Sequence, residues 1–128
     1  MKQIKINVVN KHQHVNEPSD IYIGRGSVLG NPFTHLPLNK SKAQVQVDSR
    51  EKAITEYRKW IKGKINEFDG DVIGELEFIK KMAINHEINL VCYCKPKSCH
   101  GDIIKELVEK SITHNIPIMN LIINCEDE

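Results

Sequence analysis

At 128 residues and 14.7 kDa the chain is short of the roughly 200 residues that two domains usually need. Its 40% hydrophobic and 27% charged residues, with only 7 Gly and 5 Pro, exclude collagen-like and disordered chains. The balance of 18 Lys+Arg against 17 Asp+Glu argues against broad, sequence-independent nucleic-acid binding.

The apolar runs fall far short of the roughly 18 to 20 residues of a membrane-spanning helix. Met-Lys-Gln-Ile-Lys-Ile at the start interleaves charges and has no apolar signal region, so no membrane association and a cytoplasmic location are expected. Residues 3–9 alternate apolar and polar through Ile4, Ile6 and Val8, as do residues 20–23, and both segments predict strands. Residues 24–47 hold three of the seven glycines, two prolines and no sustained period. That is longer than the roughly 12 to 15 residues a compact domain tolerates without a use for them, so the length itself marks a site.

From Asp48 the period turns helical, with Ala53, Ile54, Tyr57, Trp60, Ile61 and Ile65 on one stripe and Asp48 and Glu51 spaced as a capping box. A second helix is expected over about 71–85, with Ile73, Leu76, Ile79 and Ala83 inward and Gly70 separating it from the first. Residues 89–94 predict a buried strand, Lys95-Pro-Lys-Ser a turn, and His100 or Asp102 to about Thr113 a third helix burying Ile103, Ile104, Leu107, Val108 and Ile112. Residues 116–123 read as a last strand. The expectation is a single α/β domain over residues 1–124, a small Rossmann-like layered sheet with flanking helices, followed by an acidic tail at 125–128. In such sheets ligands bind beyond the carboxyl ends of the strands. Those ends carry Gly24-Arg-Gly26 and Cys94-Lys-Pro-Lys-Ser-Cys-His100, so the two loops are expected to share a crevice.

Val8-Val-Asn10, Ile21-Tyr-Ile-Gly-Arg25, Gly30-Asn-Pro-Phe33, Arg50 with Ala53 and Tyr57-Arg-Lys-Trp60, and Cys92-Tyr-Cys94 followed by Cys99-His-Gly-Asp102 occur in an order with a family likeness. Together they resemble a family of small phage and bacterial proteins catalogued as domain of unknown function 4326, over residues 8 to about 108. The resemblance implies a phage or bacterial intracellular setting and marks residues to suspect, but supplies no reaction. Where that family often has a short loop after its GNPF motif, Thr34 to Val47 here is longer and polar.

Fifteen lysines against three arginines, Arg25, Arg50 and Arg58, single out the arginines. Guanidinium grips phosphate or carboxylate bidentately, which ammonium does not. Arg50 falls in the first turn of its helix, where the dipole disfavours a cation by roughly 0.3 to 1 kcal/mol unless an anion offsets it. For all three, an internal carboxylate or solvent is the alternative partner. Residues 40–64 carry eight basic side chains against Asp48, Glu51 and Glu56. Such a run usually means a solvated helix face, and it biases neighbouring loops towards anions.

The loop from Gly24 to Phe33 is suited to presenting backbone N–H groups to a phosphate, with Gly24 and Gly26 allowing close approach, although it lacks the Walker pattern. Asn31 suits a sugar or base edge; the alternative is Asn-Pro as a turn starter with Phe33 plugging the core. Cys99 at a helix N-terminus, beside His100 and lysines, is the candidate nucleophile, with His100 as base or donor and Asp102 orienting the imidazole or capping the helix. Cys92, Cys94, Cys99 and His100 also make four soft ligands, but their spacing suits a zinc tetrahedron poorly, and small core residues remain a third reading.

The leading expectation is therefore a protein that binds a phosphate-bearing ligand, a nucleotide or nucleotide derivative. Gly24, Arg25, Gly26, Asn31, Arg50 and Cys94 would bind it, and Cys99, His100 and Asp102 would act if it is an enzyme. The alternative is a phage-type protein binding a host protein, with the Cys/His cluster structural or holding zinc. The sequence assigns no cofactor.

Overall fold

The structure is a computed structural model that describes residues 4–10, 17–35, 45–92 and 100–121. Strands β1 (Ile6–Asn10), β2 (Asp20–Tyr22) and β5 (Ile88–Cys92) form a parallel sheet in the order β1-β5-β2. Helices α1 (Arg50–Asn66), α2 (Gly70–Asn85) and α3 (His100–Thr113) flank it. The fold is thus α/β, as the alternation of strand and helix periods predicts.

Central β5 is buried along its whole length, as the middle strand of a parallel sheet must be. Ile88, Leu90 and Cys92 share one face with Ile6, Ile21 and Ile23 and join one hydrophobic cluster with the helices. Ala53, Tyr57, Ile61 and Ile65 of α1, Val72, Ile73, Leu76, Ile79 and Ala83 of α2, and Ile103, Ile104, Leu107 and Val108 of α3 supply the buried helical faces. Ile54, Trp60 and Ile112 are only partly buried at its margin. Lys62 departs from the solvated face expected of the basic run, being buried beside Ile61.

On the other face, one row of the sheet is polar. Asn7 and Asp20 both pair in register with Asn89. Asn7 donates to the Asn89 side-chain oxygen at 3.1 Å, and Asn89 donates to Asp20 at 3.0 Å. A slip of one residue would break this row and turn the isoleucines outward, so register is specified from both faces.

The helix ends depart from the sequence reading in detail. Ser49, not Asp48, caps α1, accepting from the Lys52 amide at 3.0 Å, so the predicted Asp48–Glu51 box is displaced by one residue. Asp69 caps α2 through the Val72 amide, and Gly70 is the first helical residue rather than a separator. α1 closes with Phe68 donating to the Ile65 carbonyl and Asp69 to that of Lys64, a Schellman motif with Phe68 at φ 59°. α3 ends the same way through Asn115 at φ 54°.

Two further expectations are corrected. Residues 24–47 are not wholly irregular, because β3 (Phe33–Thr34) pairs in parallel with β4 (Val45–Gln46). The last strand expected over 116–123 is instead a turn of 3-10 helix at Ile118–Asn120, following Pro117, with Ile118 buried. Among its described residues the inward ones are Ile118 and Leu121, three apart, with Ile116 packed at the core margin, rather than an alternating set. Residues 122–128, with Cys125 and the acidic tail, lie outside the described residues. Among the described residues no helix is long and apolar enough to cross a membrane.

Candidate functional site at the carboxyl edge of the sheet

Because β1, β2 and β5 are parallel, all three end at the same edge, at Asn10, Tyr22 and Cys92. The loop after β2 is described completely. The Ile23 amide extends the ladder to the Val91 carbonyl at 2.9 Å, and the chain then folds back on itself. Ser27 donates twice to the Gly24 carbonyl, from its amide at 3.1 Å and its hydroxyl at 2.6 Å. Gly30 donates to the Ser27 carbonyl at 3.0 Å. Two glycines are sterically required. Gly26 has φ 94°, and a Cβ on Gly30 would lie 2.6 Å from the Gly24 carbonyl oxygen.

Side chains from three directions fix this loop. Arg25 donates through Nη1 to the Asn31 carbonyl, and Tyr22 donates to the Arg25 carbonyl at 3.0 Å. Tyr57, fully buried on α1, donates to the Leu29 carbonyl at 2.7 Å. Asn31 is itself buried. Its side chain donates to the Ala53 carbonyl in the first turns of α1 at 3.2 Å and accepts from the Phe33 amide at 2.9 Å. The Asn31 side chain thus ties the loop to α1 and closes a turn onto Phe33.

His100 opens α3 and is buried, with Nε2 2.6 Å from the Ile23 carbonyl. A carbonyl only accepts, so Nε2 carries the proton and, in the neutral ring, Nδ1 is the acceptor nitrogen. The Tyr57 ring meets the imidazole edge-on, with centroids 5.0 Å apart. The start of α3 is thereby held against the residue that precedes Gly24. Gly24, Arg25, Gly26, Asn31 and His100 lie together at one edge. Asp102 is the exposed residue of the first turn of α3, where a carboxylate suits the helix dipole. Cys94 and Cys99 lie outside the described residues, as do Lys95 and Lys97. Cys92, two residues before Cys94 in the sequence, is enclosed in the core.

The three arginines separate. Arg58 pairs with Glu106 of α3 at 2.6 Å, the internal carboxylate weighed against a ligand. Arg25 is engaged by its own loop. Arg50 begins α1, half-buried, and its side chain has no ion-pair or hydrogen-bond partner among the described residues.

More of the loop's carbonyls than of its amides are bonded, although the Ile23, Ser27 and Gly30 amides donate and the carbonyls of Gly26, Val28 and Gly30 have no partner among the described residues. The carbonyls of Ile23, Gly24, Arg25, Ser27, Leu29 and Asn31 all accept hydrogen bonds. The amides of Gly24, Gly26, Val28, Leu29 and Asn31 have no partner among the described residues. Peptide groups with occupied carbonyls and open N–H groups leave a partial positive charge at the loop. Tyr22 and Tyr57, which build this arrangement, were legible only as a strand residue and a core residue. Their hydroxyl partners depend on a fold that no spacing reveals.

The family model described as Domain of unknown function (DUF4326) matches residues 6–110. No curated protein and no solved structure matches the chain.

Proposed function

The chain belongs to the family described as domain of unknown function (DUF4326), and from that premise we propose that it binds a phosphate-bearing ligand, a nucleotide or nucleotide derivative, at the carboxyl edge of its sheet. The observation that carries this reading is the uneven bonding of residues 23–31. Buried amides are almost always paired, whereas those of Gly24, Leu29 and Asn31 belong to buried residues and have no partner among the described residues. An anion such as a phosphate oxygen meets several such amides at once.

Arg25 and Arg50 supply the cationic side chains, and the start of α3 adds the positive end of its dipole. If the ligand is turned over, Cys99 is the candidate nucleophile, His100 the base or hydrogen-bond donor, and Asp102 the residue that orients the imidazole or caps α3. A Rossmann-like use of the sheet, in which the ligand lies across the strand ends, and a cytoplasmic, phage or bacterial setting are parts of the same reading.

A melting-temperature screen of the whole chain against nucleoside monophosphates, diphosphates and inorganic phosphate tests it. A ligand at 100 times its Kd adds about 2.7 kcal/mol to stability, which raises the melting temperature by several degrees. No shift with any phosphate compound, together with stoichiometric zinc in the purified protein, would instead favour a host-binding protein with a structural Cys/His centre.

A further inference from the structure

We infer that Tyr22 is a stacking platform for a nucleobase, so that the ligand of the Gly24–Asn31 loop carries an aromatic base as well as a phosphate. This rests on the phosphate-binding reading given above and narrows it.

Tyr22 is the last residue of β2 and lies on the sheet face opposite Ile21 and Ile23. Its ring packs directly on the Gly24 backbone. A Cβ at Gly24 would come within 2.3 Å of the Tyr22 hydroxyl oxygen, 2.4 Å of Cζ and 2.5 Å of Cε1. A side chain at residue 24 would therefore displace the ring. At its tip the hydroxyl donates to the Arg25 carbonyl at 3.0 Å. Strand backbone at one end and this bond at the other fix the ring's orientation, yet Tyr22 remains 40% exposed.

Exposed aromatic rings that swing freely lose rotamer entropy when a ligand stacks on them. This one is already immobilised, and it abuts a loop whose Gly24 and Gly26 amides have no partner among the described residues. A planar apolar surface beside a cluster of amide donors matches a molecule with a planar base at one end and an anion at the other. Stacking of this kind tolerates different bases, because every base has a π-face. The inference thus names nucleotides as a class, with larger purines favoured over pyrimidines by their greater contact area.

The test measures dissociation constants by titration calorimetry for adenosine monophosphate, uridine monophosphate, ribose phosphate and inorganic phosphate. The proteins are the unaltered chain, Tyr22→Phe and Tyr22→Leu, each checked for an unchanged circular dichroism spectrum. The unaltered chain is expected to bind adenosine monophosphate more tightly than ribose phosphate by roughly 5- to 150-fold, the range that stacking supplies. Tyr22→Leu removes most of that gap, and its affinity for ribose phosphate matches that of Tyr22→Phe, which loses the same bond to the Arg25 carbonyl. Tyr22→Phe keeps the gap, since it retains the π-face and loses only the bond to Arg25.

A nucleotide that binds no better than ribose phosphate overturns the inference and leaves phosphate binding intact. An advantage that survives in Tyr22→Leu, or that Tyr22→Phe loses as completely as Tyr22→Leu, also overturns it, the second result making Tyr22 a prop for the loop. Absence of binding by all four compounds removes the phosphate-binding reading and this inference with it.

Discussion

Tyr57 shows how one buried hydroxyl can decide the shape of a site. It stands among apolar residues on α1, yet its hydroxyl meets a carbonyl 28 positions away and its ring meets His100. Tyr57→Phe keeps the ring and leaves the Leu29 carbonyl without its donor, which is expected to cost about 1 to 3 kcal/mol in urea unfolding. The same change should loosen residues 27–31, seen as faster amide hydrogen exchange there than in α2. Arg25 offers the complementary test, because one guanidinium nitrogen holds the Asn31 carbonyl while the planar fork suits an anion. Arg25→Lys preserves charge and is expected to lose about 0.5 to 1.5 kcal/mol of stability, the usual net worth of a hydrogen bond. Its affinity for phosphate compounds should fall by about tenfold or more, as expected when a bidentate charged contact is lost. A stability loss that accounts for all of the affinity loss would make Arg25 purely a loop brace.

Among the elements, α1 has informative ends. The cap at Ser49 predicts that Ser49→Ala costs about 1 kcal/mol, whereas Asp48→Ala is nearly neutral, a contrast that thermal or urea unfolding resolves. At the other end Phe68 holds the left-handed position of a Schellman motif while 68% exposed, so it carries the backbone cost without burying its ring. Phe68→Gly should therefore leave the fold intact and stabilise it by up to about 1 kcal/mol in the same measurement. These ends also show what local sequence reveals. The apolar stripes of α1, α2 and α3 and the alternation of β1 and β2 are legible because a 3.6- or 2-residue period is a direct consequence of which face is buried. Asp48 and Ser49 are both good caps, and only backbone geometry chooses between them. Ile116 to Ile123 misleads because a short apolar run has no period long enough to separate a strand from a 3-10 turn that buries Ile118 and Leu121. In the site, Gly24, Gly26 and Gly30 are legible as places of close approach. The engagement of Asn31 with Ala53, and of His100 with Ile23, is not, because both bonds join segments that only the folded sheet brings together.

For the whole molecule, the parallel order β1-β5-β2 matters most, since it brings the loop after β2 and the start of α3 to one edge. The helices cover one sheet face with a continuous apolar core, and the network of Asn7, Asn89 and Asp20 fixes register on the other. Against that frame, the loop from Gly24 to Asn31 is held by its carbonyls and offers its amides. The central claim is that those amides receive an anion, and amide proton–nitrogen correlation spectra recorded during a phosphate or nucleoside monophosphate titration test it most directly. The account predicts saturable, downfield proton shifts at Gly24, Gly26, Val28, Leu29 and Asn31, with α2 unmoved. Unshifted loop amides at saturating ligand, or shifts concentrated on the basic face of α1, would contradict it.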